Sequence, residues 1–232
     1  MRGGFRIRDF HLSFDATTGE LVDSSMITEL RTDIFDHWLG IAERASADAE
    51  AARRIALDAG LDDNETFNDA LEREFRASMV AVTASAFAID SFYASVLEHA
   101  PATRVMANAR DANIFETLKR AFSLSSQQQV ALREPLRQVF RLRDQAVHPP
   151  ATWVVPALHP VFNLGMEPRF VQFRAENAIN AQMLARKLIA VCLRKPKARH
   201  TDLAAWCEPI KDLVPEPPPR REWESGDETV IT

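Results

Sequence analysis

The residues best suited to chemistry in this sequence gather at the end of one helical segment. From Pro135 to Val147 the apolar positions are Leu136, Val139, Phe140 and Val147. Arg143 lies one turn from both Val139 and Val147, so it falls on that same stripe. A guanidinium there needs an acceptor. Arg137 and Arg141 lie on another face, and His148 follows Arg141 by about two turns, which returns it to the same side. Asp144 sits among them. Arg137, Arg141, Arg143 and His148 therefore make a local cationic spot in a chain of net charge -5. A guanidinium fork suits phosphate oxygens. An imidazole moves a proton near neutral pH. The local positive sign in an acidic chain suits a phosphate.

A second polar residue breaks an apolar stripe. Asp90 lies between Ile89 and Phe92, in line with Ala86 and Tyr93. A carboxylate there is costly unless paired, and Arg143 is the simplest partner. Each site residue also has a plainer reading. Arg143 can be the structural ion-pair partner of Asp90. His148 can favour the helix dipole as a C-terminal cation. Asp144 can be an exposed helix charge. Trp38, Trp153 and Trp206 read as core or interface packing.

The elements that must position these residues are helical. Phe5, Ile7, Phe10, Leu12 and Phe14 alternate weakly, which fits a short strand ending at a Thr18-Gly19 turn. From Ser24 the spacing of Ile27, Leu30, Ile34, Trp38 and Ile41 predicts a helix to Ala59, stopped by Gly60. A second helix is expected over 65–99, with Asp62 and Glu65 as a capping pair. Its stripe is Phe75, Met79, Val82, Ala86, Ile89, Tyr93 and Leu97, flanked by small residues that let another helix approach. A third is expected from Asn113, with Glu116 as its capping partner, and a fourth after Ser126, with Gln129. Pro135 should kink or restart the fourth, and Pro149 should end it at His148. Prolines between 149 and 172 read as a loop, with a small hairpin around Phe162 and Phe170. A fifth helix spans 175–193, with Ala178, Met183, Ala185, Leu188, Ile189 and Cys192 as core positions. The basic run Arg194–His200 reads as a solvated linker, followed by a short helix over 203–213.

The fold class is thus all-α, a bundle of about five helices with a short possible N-terminal strand and a Pro-rich C-terminal tail. Residues 1–23 read as an N-terminal extension, 24–213 as the helical domain and 214–232 as a disordered tail. Composition agrees: 46% hydrophobic and 26% charged residues make an ordinary globular core, and seven glycines argue against a β-rich or Gly-loop design. The acidic balance disfavours a protein that coats nucleic acid nonspecifically. Two cysteines, Cys192 and Cys207, cannot form a disulfide framework and suggest a reducing cytoplasm. No zinc-ligand spacing, Gly-rich phosphate loop, Rossmann fingerprint or Ser-His-Asp order is visible, so no metal and no cofactor are expected. The N-terminus lacks an apolar signal region, and no apolar run long enough for a bilayer is evident, so no membrane association is expected.

The segment Phe140–Pro149 resembles the signature of the HEPN superfamily, α-helical bundles in which an Arg, four to six residues and a His close a long helix. Arg143, Asp144 and His148 match with four intervening residues. Arg141 to His148 also fits, with six. The run Ala84–Tyr93 looks like the long packing helix of such proteins, and the resemblance covers 65–195. It implies a metal-independent endoribonuclease, often in toxin or antiviral systems, whose site forms at a homodimer interface. Arg143, His148 and Asp144 would then be the catalytic residues, with Arg137 and Arg141 as RNA contacts. The implied partners are RNA, a second copy and a possible antitoxin protein. A catalytically silent scaffold binding RNA or a protein is the alternative.

Overall fold

The structure is a computed structural model. It describes residues 3–148 and 153–215, and of residues 3–8 and 28–31 the backbone alone. The expected tail beyond residue 215 and the Pro149-Pro150 corner lie outside the described residues.

The chain begins with a β-hairpin. β1 (Gly3–Phe14) pairs antiparallel with β2 (Leu21–Thr32). The turn is built by Asp15, whose Oδ1 accepts from the amides of Thr17 and Thr18 at 2.7 and 2.8 Å. Gly19 closes it at φ 73°, a left-handed conformation suited to glycine. The helix expected from Ser24 is therefore a strand up to Thr32. The spacing of Ile27, Leu30 and Ile34 mimicked a helix, while Val22, Ile27 and Thr28 are β-branched residues that suit a strand once a partner strand is there to pair with.

The helical body starts later. α1 (Phe35–Ala59) packs along α2 (Asn64–His99), and α6 (Ala175–Leu193) lies against both. Small residues make this close approach possible. Ala42, Ala45, Ala49, Ala52 and Ala56 of α1 are buried, as are Ala81, Ala84 and Ala88 of α2 and Ala178, Ala181 and Ala185 of α6. The expected stripe of α1 is thus corrected: Ile34 is exposed, Trp38 and Ile41 are half-buried, and Phe35, Leu39 and the alanines face inward. Gly60 does end α1, its N–H bonding to Ala56 O at 3.2 Å.

α2 is the central element. Val82, Ile89, Phe92 and Val96 are fully buried. It holds an 18-residue window of mean hydropathy 1.5, long and apolar enough to cross a bilayer, although 56% of that window is buried within the body. Its cap is Asp63, one residue after the expected Asp62, accepting from Thr66 N at 3.1 Å. α3 (Arg110–Ala121) starts three residues before the expected Asn113, with Ala109 at its cap and no side-chain bond there. α4 (Ser126–Val147) carries a capping box of Ser125 and Gln128 rather than Ser126 and Gln129. Pro135 does not break α4. Pro135 and Ala131, whose carbonyl loses its helical partner, both lie on the exposed side, where solvent can replace the bond.

The connections are more structured than expected. β3 (Ala157–Leu158) and β4 (Gly165–Met166) form a small hairpin around Phe162, while Phe170 belongs to α5 (Pro168–Gln172) and stacks on Phe75 at 4.6 Å. The basic run after α6 is not a free linker. Lys197 N bonds to Ala121 O at 3.0 Å, and Lys197 Nζ reaches Lys119 O at 2.8 Å. Arg199 Nη2 bonds to Arg120 O at 3.3 Å. These cations satisfy the C-terminal carbonyls of α3 and its dipole. α7 (Thr201–Cys207) and a 3-10 turn (Lys211–Leu213) follow. Val214, expected at the start of the tail, is buried, and its carbonyl accepts from Arg194 at 3.2 Å. Among the described residues there are seven α-helices and two small hairpins, so the fold is mainly helical rather than all-α.

Candidate functional site

α4 is held by Leu132, Leu136, Val139 and Phe140, all buried against the core. That anchoring directs its opposite flank and its C-terminal end into a cleft of about 830 Å³. Arg137, Arg141, Arg143, Asp144 and His148 all line it. The facing walls come from residues 108–111 at the start of α3 and from residues 167–172 in and before α5. His148 is the C-cap of α4, exposed, with its backbone N–H bonded to Asp144 O at 2.9 Å.

Asp90, from α2, does not itself line the cleft but holds two of the arginines that do. Its Oδ2 lies 3.7 Å from Arg143 Nη1, the pairing expected from sequence. The shorter contact was not expected: Arg110 Nε donates to Asp90 Oδ1 at 2.7 Å. Both guanidiniums also lie over rings, Arg143 5.0 Å from the centre of Phe140 and Arg110 4.7 Å from Tyr93. Arg143 Nε is 2.8 Å from Asp144 Oδ1, an ion-pair contact too bent for a hydrogen bond. Asp144 thus turns its carboxylate toward Arg143, on its own helix. Arg137, at the outer edge, is exposed and 3.7 Å from Glu134.

No family model, curated protein or solved structure matches this chain.

Arg110 is the cleft residue that sequence reasoning missed, and a signal for it existed. It is the first residue of α3, where a cation opposes the helix dipole. A residue that breaks a local rule at a helix start usually answers to a tertiary partner. Arg169 also lines the cleft, tied to Glu167 by a 2.7 Å bond. The cleft is mixed in sign: five arginines and His148 stand among Asp111, Asp144 and Glu167. Trp153, expected in core or interface packing, is not in the core of the single chain: it is fully exposed, and it immediately precedes Val154, which lines the cleft.

Other reactive groups lie elsewhere. Burial pushes the Cys192 thiol up, and likewise pushes Cys207 up to about 12, so neither is a ready nucleophile. Among the described residues no cluster of His, Cys, Asp and Glu has the makings of a metal centre. Glu74 is buried in α2 and its Oε1 accepts from the first amide of α6, Ala175 N, at 2.7 Å. Burial raises its carboxyl above the ordinary range, against the pull of that amide and of Arg53. His159 is buried as well and stacks on Phe162 at 4.7 Å. Its Nδ1 accepts from the amides of Val161 and Phe162 at 3.3 and 3.4 Å, which puts the proton of the neutral ring on Nε2. Burial, then Arg53 and Arg174, lower it to about 4. These groups hold α2, α6 and the β3–β4 loop together rather than serving the cleft.

Proposed function

We propose that the cleft at the end of α4 binds an RNA phosphodiester and that the protein is a metal-independent endoribonuclease of the HEPN type. One observation carries the reading: Arg137, Arg141, Arg143 and His148, chosen by type and spacing, share one open cleft, and Arg110 joins them from another helix. Five guanidiniums around one space suit the charge that grows on a phosphate in flight. The exposed imidazole of His148 takes the proton of the ribose 2′-hydroxyl. The 2′-oxygen then bonds to phosphorus, and the bond to the 5′-oxygen breaks. That oxygen leaves with a proton from water or from a second copy, so the products are a 2′,3′-cyclic phosphate and a 5′-hydroxyl. A homodimer, a defence or toxin role with a cognate antitoxin, and a cytoplasmic location belong to the same proposal.

One observation favours a second reading, an RNA- or protein-binding scaffold without catalysis. Arg143 is already balanced by Asp90 and Asp144 before any phosphate arrives. A single experiment separates the two. Pooled tRNA and mRNA are incubated, without divalent metal, with the wild-type chain and with His148→Ala. Cleavage to cyclic-phosphate ends by the wild type alone is the expected result. Binding without cleavage leaves the scaffold, and equal decay with both chains ends the nuclease reading.

A further inference from the structure

The N-terminal hairpin carries an inference that rests on the proposed homodimer and names the face that joins its two copies. β1 and β2 pair with each other over their whole length, yet neither packs extensively on a helix. A two-stranded ribbon on its own is marginally stable in water. This one is also apolar where it should be polar. Phe10 is 59% exposed, Phe14 59%, Val22 66% and Met26 55%, and Leu12 is exposed too.

The register sorts these residues. Phe10 pairs with Met26 and Leu12 with Ser24, so Phe10, Leu12, Met26 and Val22 share one face. Asp9, His11, Asp23 and Ser25 occupy the other, together with the exposed Ile27, and Ser24 lies among the apolar residues of the first. The shift between Ile7 and Asp9 changes the parity of β1, which brings backbone positions 5 and 7 into phase with 10 and 12. Bulges are placed features rather than defects, and a large exposed apolar patch marks a surface that meets a partner.

We propose that this face is covered by the same face of a second copy. The exposed parts of Phe10, Leu12, Phe14, Val22 and Met26 amount to about 500 Å² per copy, at the upper end of what a monomer leaves bare. Two copies packed face to face remove twice that, close to the lower limit of a specific interface. The face carries no charge at these positions, so it meets its own image without repulsion. Two ribbons stacked in this way form a small two-layer sheet, roughly 10 Å apart, with the five side chains of each interdigitated. The hairpin enters the body through Asp33, which accepts from Ser95 Oγ at 3.0 Å and Trp206 Nε1 at 3.1 Å. The pairing therefore ties two helical bodies together at the C-terminal end of α2.

The test is the solution mass of the full chain, by sedimentation equilibrium over a hundredfold range of concentration. The wild type is expected at twice 26.1 kDa in the micromolar range. The double variant Phe10→Lys, Met26→Lys is expected at 26.1 kDa with unchanged helical circular dichroism, since neither residue lies in the helical core. A wild type that sediments as a monomer throughout overturns the proposal, as does a folded variant that keeps the doubled mass.

Discussion

Asp90 stands between two guanidiniums, and removing its charge measures what the bridge contributes. Asp90 and Arg143 are each about one-fifth exposed, 21% and 19%, so the pair is screened less than a surface bridge but is not dry. Asp90→Asn is expected to lower stability by about 2 kcal/mol in urea unfolding, because two partly buried cations lose their acceptor. Arg143→Lys should cost a similar amount, since an ammonium cannot lie flat on Phe140 while reaching Asp90. Unchanged midpoints would mean that solvent serves these arginines as well as the carboxylate does. Trp153 poses a different question at the same scale. A fully exposed indole beside a cationic cleft offers a stacking face to an unpaired base. On the ribonuclease reading, Trp153→Ala weakens binding of a single-stranded oligonucleotide roughly tenfold, and Trp153→Phe restores most of it. Filter binding decides it, and equal affinities for all three chains remove Trp153 from the site.

The junction of α2, α6 and the β3–β4 loop is where pH acts on the elements. His159 is neutral in the fold, lowered to about 4 by burial and by Arg53 and Arg174, while in the unfolded chain it titrates near 6.5. The unfolded state therefore binds the extra proton between those values. The stability His159 contributes is complete above pH 6.5 and drains away as the pH falls toward 4, by an amount on the order of 2–3 kcal/mol. Glu74 runs the other way: its raised carboxyl makes the fold bind a proton earlier than the unfolded chain, so its part grows as the pH falls. Glu176, paired with both Arg53 and Arg174, moderates the local charge. Comparing the wild type with His159→Asn, which can still accept the loop amides, isolates the histidine. Denaturation midpoints at pH 7 and pH 4.5 should move further apart in the wild type, and parallel losses would refute the assignment. None of this junction was legible in the sequence, because Glu74 and His159 lie far apart along the chain and neither follows a local pattern. α6 was legible, since its apolar density is local. α1 was half-legible: its extent past Phe35 was visible, but its inner face is alanine, which carries too little hydrophobic contrast to mark a stripe. β2 was not, because two hydrophobic periods overlapped in residues 22–34 and only the partner strand β1 chose between them.

For the molecule as a whole, the charge pattern sets the kind of nucleic-acid binding that is physically open to it. With 33 acidic and 28 basic side chains, the surface at large repels a polyanion, so attraction depends on local cationic spots, of which the cleft is the one proposed to bind RNA. Binding should then be local, weak on long duplexes and limited to a few phosphates. The cleft residues were partly visible beforehand because α4 delivers Arg137, Arg141, Arg143 and His148 by helical repeat alone. Arg110 and Arg169 come from other elements, and only the tertiary fold brings them in. Of the five arginines, Arg143, Arg110 and Arg169 each hold a carboxylate at 2.8 Å or less, which leaves Arg137 and Arg141 the readiest to exchange into phosphate contacts. Each phosphate neutralised on a single strand releases counterions worth about 0.7 in the slope of log K against log salt. Two to three contacts give a wild-type slope near −2 on that basis, far shallower than a protein that coats the strand. Arg141→Ala should flatten the slope by about 0.7, and Arg137→Ala by the same or less, because Glu134 already shares its charge. Titrations of a short fluorescent RNA between 50 and 300 mM salt read the slope directly. A steep slope unmoved by either substitution would place the contacts on some other face and detach RNA binding from the cleft.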